Sequence, residues 1–260
     1  MGPPGLAGPP SPEALVLLLQ GAGALYLLAL VAAALRPGWA RIPLALGSAL
    51  HLGWSLWRGL LIGFLPLTNK TESFAGAALA VALVGVAAFR PSRAYLLPLM
   101  ALLGAAMGAA LLMPQGLHWP PPLMRTVWYP THVPLSFLAY GTWAAAAAAG
   151  LAWFTDRDGG WLQLIDRLGL WGFALWSISM ICGGVWGVVA WGAWFLWDPK
   201  VVWSVILWFH ASTFVHLRLT PSLAGRPWIR PALALAGLVL VLVAYVGTSF
   251  FFGRSSHAFG

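Results

Sequence analysis

Apolar residues fill eight long stretches of the chain, near residues 14–35, 42–66, 73–89, 95–113, 132–153, 168–189, 201–219 and 231–252. Each is close to the roughly 20 residues that an α-helix needs to cross the hydrocarbon core of a bilayer. Lipid offers no partner for a backbone N–H or C=O, so each stretch is expected to be helical. The short alternating strands of a membrane β-barrel are not seen. Polar positions gather between the stretches, in RPGWAR, PLTNKTE, RPSR, FTDRDGG and TPSLAGRPWIRP, where Pro, Gly, Asn and Asp interrupt helices. The pattern predicts an all-α, polytopic membrane bundle of about eight helices. It forms one domain over 14–260, after a disordered Pro/Gly-rich tail over 1–13. No internal repeat and no soluble domain stands out.

Composition agrees: 60% of the 260 residues are hydrophobic and 8% are charged, where a soluble domain carries roughly a quarter charged residues. The formal charge of +8 sits in short loops, where it sets topology rather than marking a nucleic-acid surface. One set of loops holds Arg36, Arg41, Arg90, Arg93, Arg157, Arg167, Arg218, Arg226 and Arg230; the other holds Lys70, Arg125, Lys200 and Arg254. The richer set is expected in the cytoplasm, which puts both termini outside. The N-terminus has no basic region of the kind that opens a signal peptide. The single cysteine, Cys182, excludes an internal disulfide, a CxxC relay and a CxxCH haem attachment site on this chain.

Between the sixth and seventh stretches lies WGVVAWGAWFLWDPKVVW, Trp186 to Trp203, on the expected outer side. Read as a helix, it puts Trp191, Trp194, Phe195 and Asp198 on one stripe, and Pro199 would bend or end that helix. Tryptophans at a membrane boundary ordinarily form an interfacial belt. A belt needs neither this crowding nor an aspartate among the rings, whereas a large planar apolar ligand suits flat aromatic faces beside a few polar groups.

The six histidines fall at two depths: His118, His132 and His257 outside, His51, His210 and His216 within spans. Imidazole is a common iron ligand, and ionisable groups inside a bundle tend to mark sites. A tetrapyrrole uses all these features together. The rings cup the porphyrin, histidine pairs ligate iron, and arginines such as Arg58, seven residues after His51, meet the propionates. Other chemistries lack support: there is no HExxH, no GxSxG, and no acidic residue within a predicted span for proton coupling. Two rivals remain, an electron-transfer cytochrome b with permanent haems and a small-molecule permease with an aromatic vestibule. The residues alone leave His210 and His216 as alternatives in the seventh span.

The segment WGVVAWGAWFLWDPKVVWSVILWFHASTFVHLR (Trp186–Arg218) resembles the tryptophan-rich WWD signature of haem-handling proteins of cytochrome c biogenesis, most closely the CcsA/ResC type, with CcmC a relative of fewer spans. HLGWSLWRGLLIGFLPLTNKTES, THVPLSFLAYGTW and GTSFFFGRSSHAFG resemble further segments of that family. The resemblance implies haem b as the bound group, with His132 and His257 as outer axial ligands and His51 and His216 as the pair within the membrane. It implies Trp186, Trp191, Trp194, Trp197 and Asp198 as the platform, with Arg58, Arg125 and Arg254 as basic groups for the propionates. It further implies a CcsB/ResB-type membrane subunit and apocytochrome c as partners, a cytochrome c synthase (haem lyase) activity, haem export, and a bacterial cytoplasmic membrane location.

Overall fold

The computed structural model describes residues 12–248 apart from 221, 223 and 224. Among them are eight α-helices: α1 (Pro12–Leu35), α2 (Arg41–Ile62), α3 (Lys70–Ala87), α4 (Arg93–Leu112), α5 (Tyr129–Asp156), α6 (Gly159–Trp191), α7 (Pro199–Arg218) and α8 (Ile229–Leu242), which runs on through a π-turn at Val243–Gly247. The predicted tail, Arg254 and His257 lie outside the described residues, except that α1 already takes in Pro12 and Glu13. Seven of the helices are long and apolar enough to cross a membrane. The eighth, α2, has 22 residues, about 33 Å at 1.5 Å per residue. It is less apolar because it carries His51 and Arg58, both buried inside the protein. The protein is a polytopic helical membrane protein.

Helix α5 organises the bundle. It packs on α3 and α4 on one side and on α6 and α8 on the other. The alanine run after Trp143 is buried along its whole length, which lets neighbouring backbones come close. A Cβ on Gly141 would stand 2.8 Å from the Ala80 carbonyl oxygen, and one on Gly150 would stand 3.1 Å from that of Pro231. Helices α1 to α4 pack among themselves, and α7 lies against α6 and α8. Two indoles tie α6 to α7: Trp176 donates to the Ser204 carbonyl at 3.2 Å, and Trp208 to the Ser177 hydroxyl at 2.9 Å.

Successive helices alternate in direction. One end of the bundle therefore gathers the α2–α3, α4–α5 and α6–α7 connections, and the opposite end gathers the arginine-rich ones. The expectation that no span holds an acid is corrected. Glu72 lies in the first turn of α3, fully buried, and Asp166 lies in α6. Both helices begin earlier than their apolar stretches suggested, because each acid is neutralised by an arginine from another helix: Arg58 at 2.7 Å and Arg230 at 2.9 Å respectively.

Candidate functional site

The site forms where α6 ends. Gly192, with φ of 72°, closes that helix in the left-handed conformation that glycine adopts without penalty. The chain then crosses as a loop to Asp198, whose carboxylate accepts from the Lys200 N–H at 2.9 Å and caps α7. Pro199 occupies the first position of α7, where its missing N–H costs nothing. The expected helical stripe of Trp191, Trp194, Phe195 and Asp198 is therefore corrected. Trp191 ends a helix, Trp194 and Phe195 sit in a loop, and Pro199 starts the next helix rather than ending one.

Two glycines of α6 seat this loop and a third makes room for His132. A Cβ on Gly187 would stand 2.9 Å from the Ala193 carbonyl oxygen, one on Gly184 would stand 2.7 Å from the Trp194 indole, and one on Gly183 would stand 2.8 Å from the His132 ring. Trp186 is buried, donates to the Leu123 carbonyl at 2.8 Å, and meets Trp191 and Tyr129 edge-on at 4.8 and 5.1 Å between centroids. The His132 ring lies nearly parallel to Trp186, 24° apart at 6.4 Å.

His132 belongs to the first turn of α5, and its Nδ1 stands 2.8 Å from the Ser179 carbonyl oxygen. A carbonyl can only accept, so the proton is on Nδ1 and the lone pair is on Nε2. Ser179 also donates from its hydroxyl to the His132 carbonyl at 2.9 Å, and the Ser136 and Ser179 hydroxyls are 2.6 Å apart. The imidazole is thus fixed by the carbonyl-to-histidine support typical of metal ligands.

His132 lines a cavity of about 390 Å³, with Trp191, Trp194 and Phe195 near the mouth and Tyr140, Trp176 and Tyr245 deeper. Trp176 and Trp191 are 15 residues apart on α6, so the cavity reaches roughly 20 Å down the bundle. Its volume is in the range of small-molecule sites, roughly 300–1,000 Å³. Lys70 and Lys200 line it too. Sequence reasoning had assigned both only to topology, and had missed Ser179 and the three glycines. The spacing CGGVWG, which runs into the tryptophan-rich segment, was the available signal.

The other expected residues divide. Trp197 is 89% exposed and pairs edge-on with Phe195. Asp198 is 5% exposed and serves as the α7 cap. Arg125 is exposed beside the cavity-lining Met124, and its Nε donates to the Pro120 carbonyl. Arg58 is fully engaged by the protein itself. It meets Glu72 at 2.7 Å and donates to the carbonyls of Gln115 and Gly116, while Glu72 also accepts from Thr68 N–H and hydroxyl. This clasp joins the α2–α3 and α4–α5 connections beside Thr68, which lines the cavity.

His51 is wholly buried beside Tyr26 and Trp54, with its Nε2 unpartnered. His216 is exposed near the opposite end of the bundle, its Nδ1 on the Ser212 carbonyl. The structure does not bring these two together: α2 packs on α1 and α3, α7 on α6 and α8. His210 is held through Nε2 by the Leu233 carbonyl of α8 at 3.0 Å, and exposed His118 stays in its own loop near the Gly116 carbonyl.

A polytopic bundle with a tryptophan loop folded over a histidine-lined cavity defines the class, and the comparisons define the family. The profile of the cytochrome C assembly protein family matches residues 46–253, and the chain belongs to that family. It is 27% identical over 273 aligned positions to the cytochrome c biogenesis protein CcsA of Synechococcus sp. (strain CC9902), covering 86% of this chain and 88% of the relative. It is 40% identical over 90 residues to CcsA of Prochlorococcus marinus (strain MIT 9312), covering 34% of this chain and 28% of the relative. Among solved structures, the cytochrome c heme lyase CcmF shares the fold, with a TM-score of 0.74 at 20% identity. That alignment takes in 98% of this chain, which spans about half (49%) of CcmF.

Proposed function

We propose that the chain is the haem-handling subunit of a CcsB–CcsA-type cytochrome c synthase, holding haem b on the outer face of the bacterial cytoplasmic membrane while an apocytochrome c is loaded. The observation that carries this reading is His132. Its Nδ1 proton is committed to the Ser179 carbonyl, and its Nε2 lone pair is left available at the wall of an aromatic cavity. The names of the relatives, a cytochrome c biogenesis protein and a cytochrome c heme lyase, support the same reading.

Haem is the substrate. His132 Nε2 takes one axial position on its iron, and His257 takes the other, by resemblance. Trp191 and Trp194 cover the porphyrin, and Trp186 backs His132. Lys70 and Lys200 line the cavity and offer positive charge to the propionates, whereas Arg58 is buried against Glu72. Each thiol of the apocytochrome CxxCH adds across one vinyl group. Sulfur bonds to one carbon and the proton ends on the other, so no electrons enter or leave. The motif histidine then replaces an axial imidazole. The chain contributes placement, turning an encounter between two molecules into a nearly unimolecular step. Export through a His51–His216 pair requires α2 and α7 to approach, so it extends this proposal rather than underpinning it.

The test is assembly in a bacterium stripped of its own cytochrome c maturation genes. The chain, a CcsB-type subunit and an apocytochrome c are produced together, and covalent haem is read on a denaturing gel. Holocytochrome is expected with the wild type and is expected to be absent with His132→Ala. Equal covalent haem with both would contradict the proposal.

A further inference from the structure

At the end of the bundle opposite the tryptophan loop, an open groove of about 580 Å³ runs along α6, with Arg218 of α7 at its edge. Its composition changes along its length. Gln163, Asp166 and Arg167 of α6 meet Arg218 of α7, and one to two turns further along α6 come Leu170, Trp171 and Ala174. Positions 163, 167, 170, 171 and 174 follow helical spacing, so the polar and apolar parts share one face. Trp171 is 61% exposed on that face.

The charge in the groove is not balanced. Asp166 is taken by Arg230 of α8, whose Nε stands 2.9 and 3.1 Å from the two carboxylate oxygens. Among the described residues, the Arg167 and Arg218 guanidiniums donate no hydrogen bond to the protein. Asp166 also lines the groove and attracts Arg218 through space, but one carboxylate set against Arg230, Arg218 and Arg167 leaves a net positive charge, and a guanidinium matches the oxygens of a phosphate. The apolar continuation toward the bundle centre suits a hydrocarbon chain. This end also carries most of the arginines of the chain, as the cytoplasmic side does in membrane proteins, where anionic lipids gather.

We infer that this groove is a binding site for an anionic phospholipid of the inner leaflet. The headgroup phosphate lies between Arg167 and Arg218, and an acyl chain runs along Leu170, Trp171 and Ala174. A soluble anion satisfies the arginines but not the apolar wall, and a zwitterionic lipid leaves the positive charge uncancelled. An anionic lipid satisfies both. The inference concerns a surface remote from the tryptophan loop and stands whether or not that loop holds haem.

The test is native mass spectrometry of the detergent-purified chain titrated with dioleoylphosphatidylglycerol or dioleoylphosphatidylcholine. The wild type should bind the anionic lipid in clear preference. Arg218→Gln, at an exposed helix end, should weaken that binding about fivefold, and Arg167→Gln with Arg218→Gln by about the square of that factor. Arg226→Gln, at the same end but outside the groove, should leave it unchanged. Inorganic phosphate alone should not displace the lipid. Equal binding of the two lipids by the wild type would overturn the inference. So would undiminished phosphatidylglycerol binding by the double variant, or displacement by phosphate.

Discussion

The support of His132 is divided between two neighbours that substitutions can separate. Ser179 holds the ring through its main-chain carbonyl at 2.8 Å and its hydroxyl at 3.0 Å from Nδ1, so Ser179→Ala keeps the shorter hydrogen bond and should change haem affinity less than tenfold. Gly183 gives the ring its room, and Gly183→Ala puts a methyl group 2.8 Å from it. Alanine is the better helix former by about 1 kcal/mol, so propensity alone favours this variant. Haem titration by absorbance should instead show affinity lowered roughly 10- to 100-fold, as when a ligand loses its support. Lys200 is tested by chemistry on the ligand. Lys200→Gln should weaken haem binding about tenfold, the loss of one charge-assisted hydrogen bond, and should leave haem dimethyl ester unaffected. His132, Trp186, Trp191 and Trp194 were legible in the sequence because rare residues crowd one short segment and its neighbours. The role of Arg58 was not. Its partner Glu72 lies across a loop whose path the sequence does not reveal, so a buried arginine read as one awaiting an external anion.

Among elements, the helices were legible and their ends were not. Apolar runs locate the parts of a helix that meet lipid, but α6 continues for 33 residues because Asp166 is neutralised by Arg230 within the bundle. The spacing of the tryptophan loop also fits a helical stripe, so the sequence left a helix open there. Gly192 and the Asp198–Pro199 pair decide otherwise, as a left-handed stop followed by a cap and a start. If Asp198 acts as that cap, Asp198→Asn should be tolerated, and Asp198→Ala should cost about 0.5–2 kcal/mol, read by denaturation in detergent. The Arg58–Glu72 clasp is the more costly element to break. Arg58→Met leaves a buried carboxylate with its Thr68 donors but no counter-charge and should destabilise by about 3–5 kcal/mol. Replacing both by Met should recover part of that loss.

For the molecule as a whole, the arrangement makes a statement about sidedness. The tryptophan loop and the arginine-rich connections lie at opposite ends, so one labelling experiment reads both. In a Cys182→Ser background, cysteine at position 197, where Trp197 is 89% exposed, should react with an impermeant maleimide added to intact spheroplasts. Cysteine at Arg157 should react only after lysis. The polytopic architecture was legible from hydropathy alone, since lipid leaves the backbone few choices. The cavity was not, because it depends on glycines and loops from three connections meeting at one end.

The central claim is that His132 presents Nε2 to haem iron beneath the tryptophan loop. Its most direct test is the absorption spectrum of the chain co-produced with a CcsB-type subunit and purified, as wild type and as His132→Gly, with and without imidazole. The wild type should show low-spin haem with two nitrogen ligands. The variant should lose or weaken that signal, and added imidazole should restore it by filling the vacated position. A colourless wild type from haem-replete cells would contradict the claim, as would a variant whose full haem spectrum is unchanged.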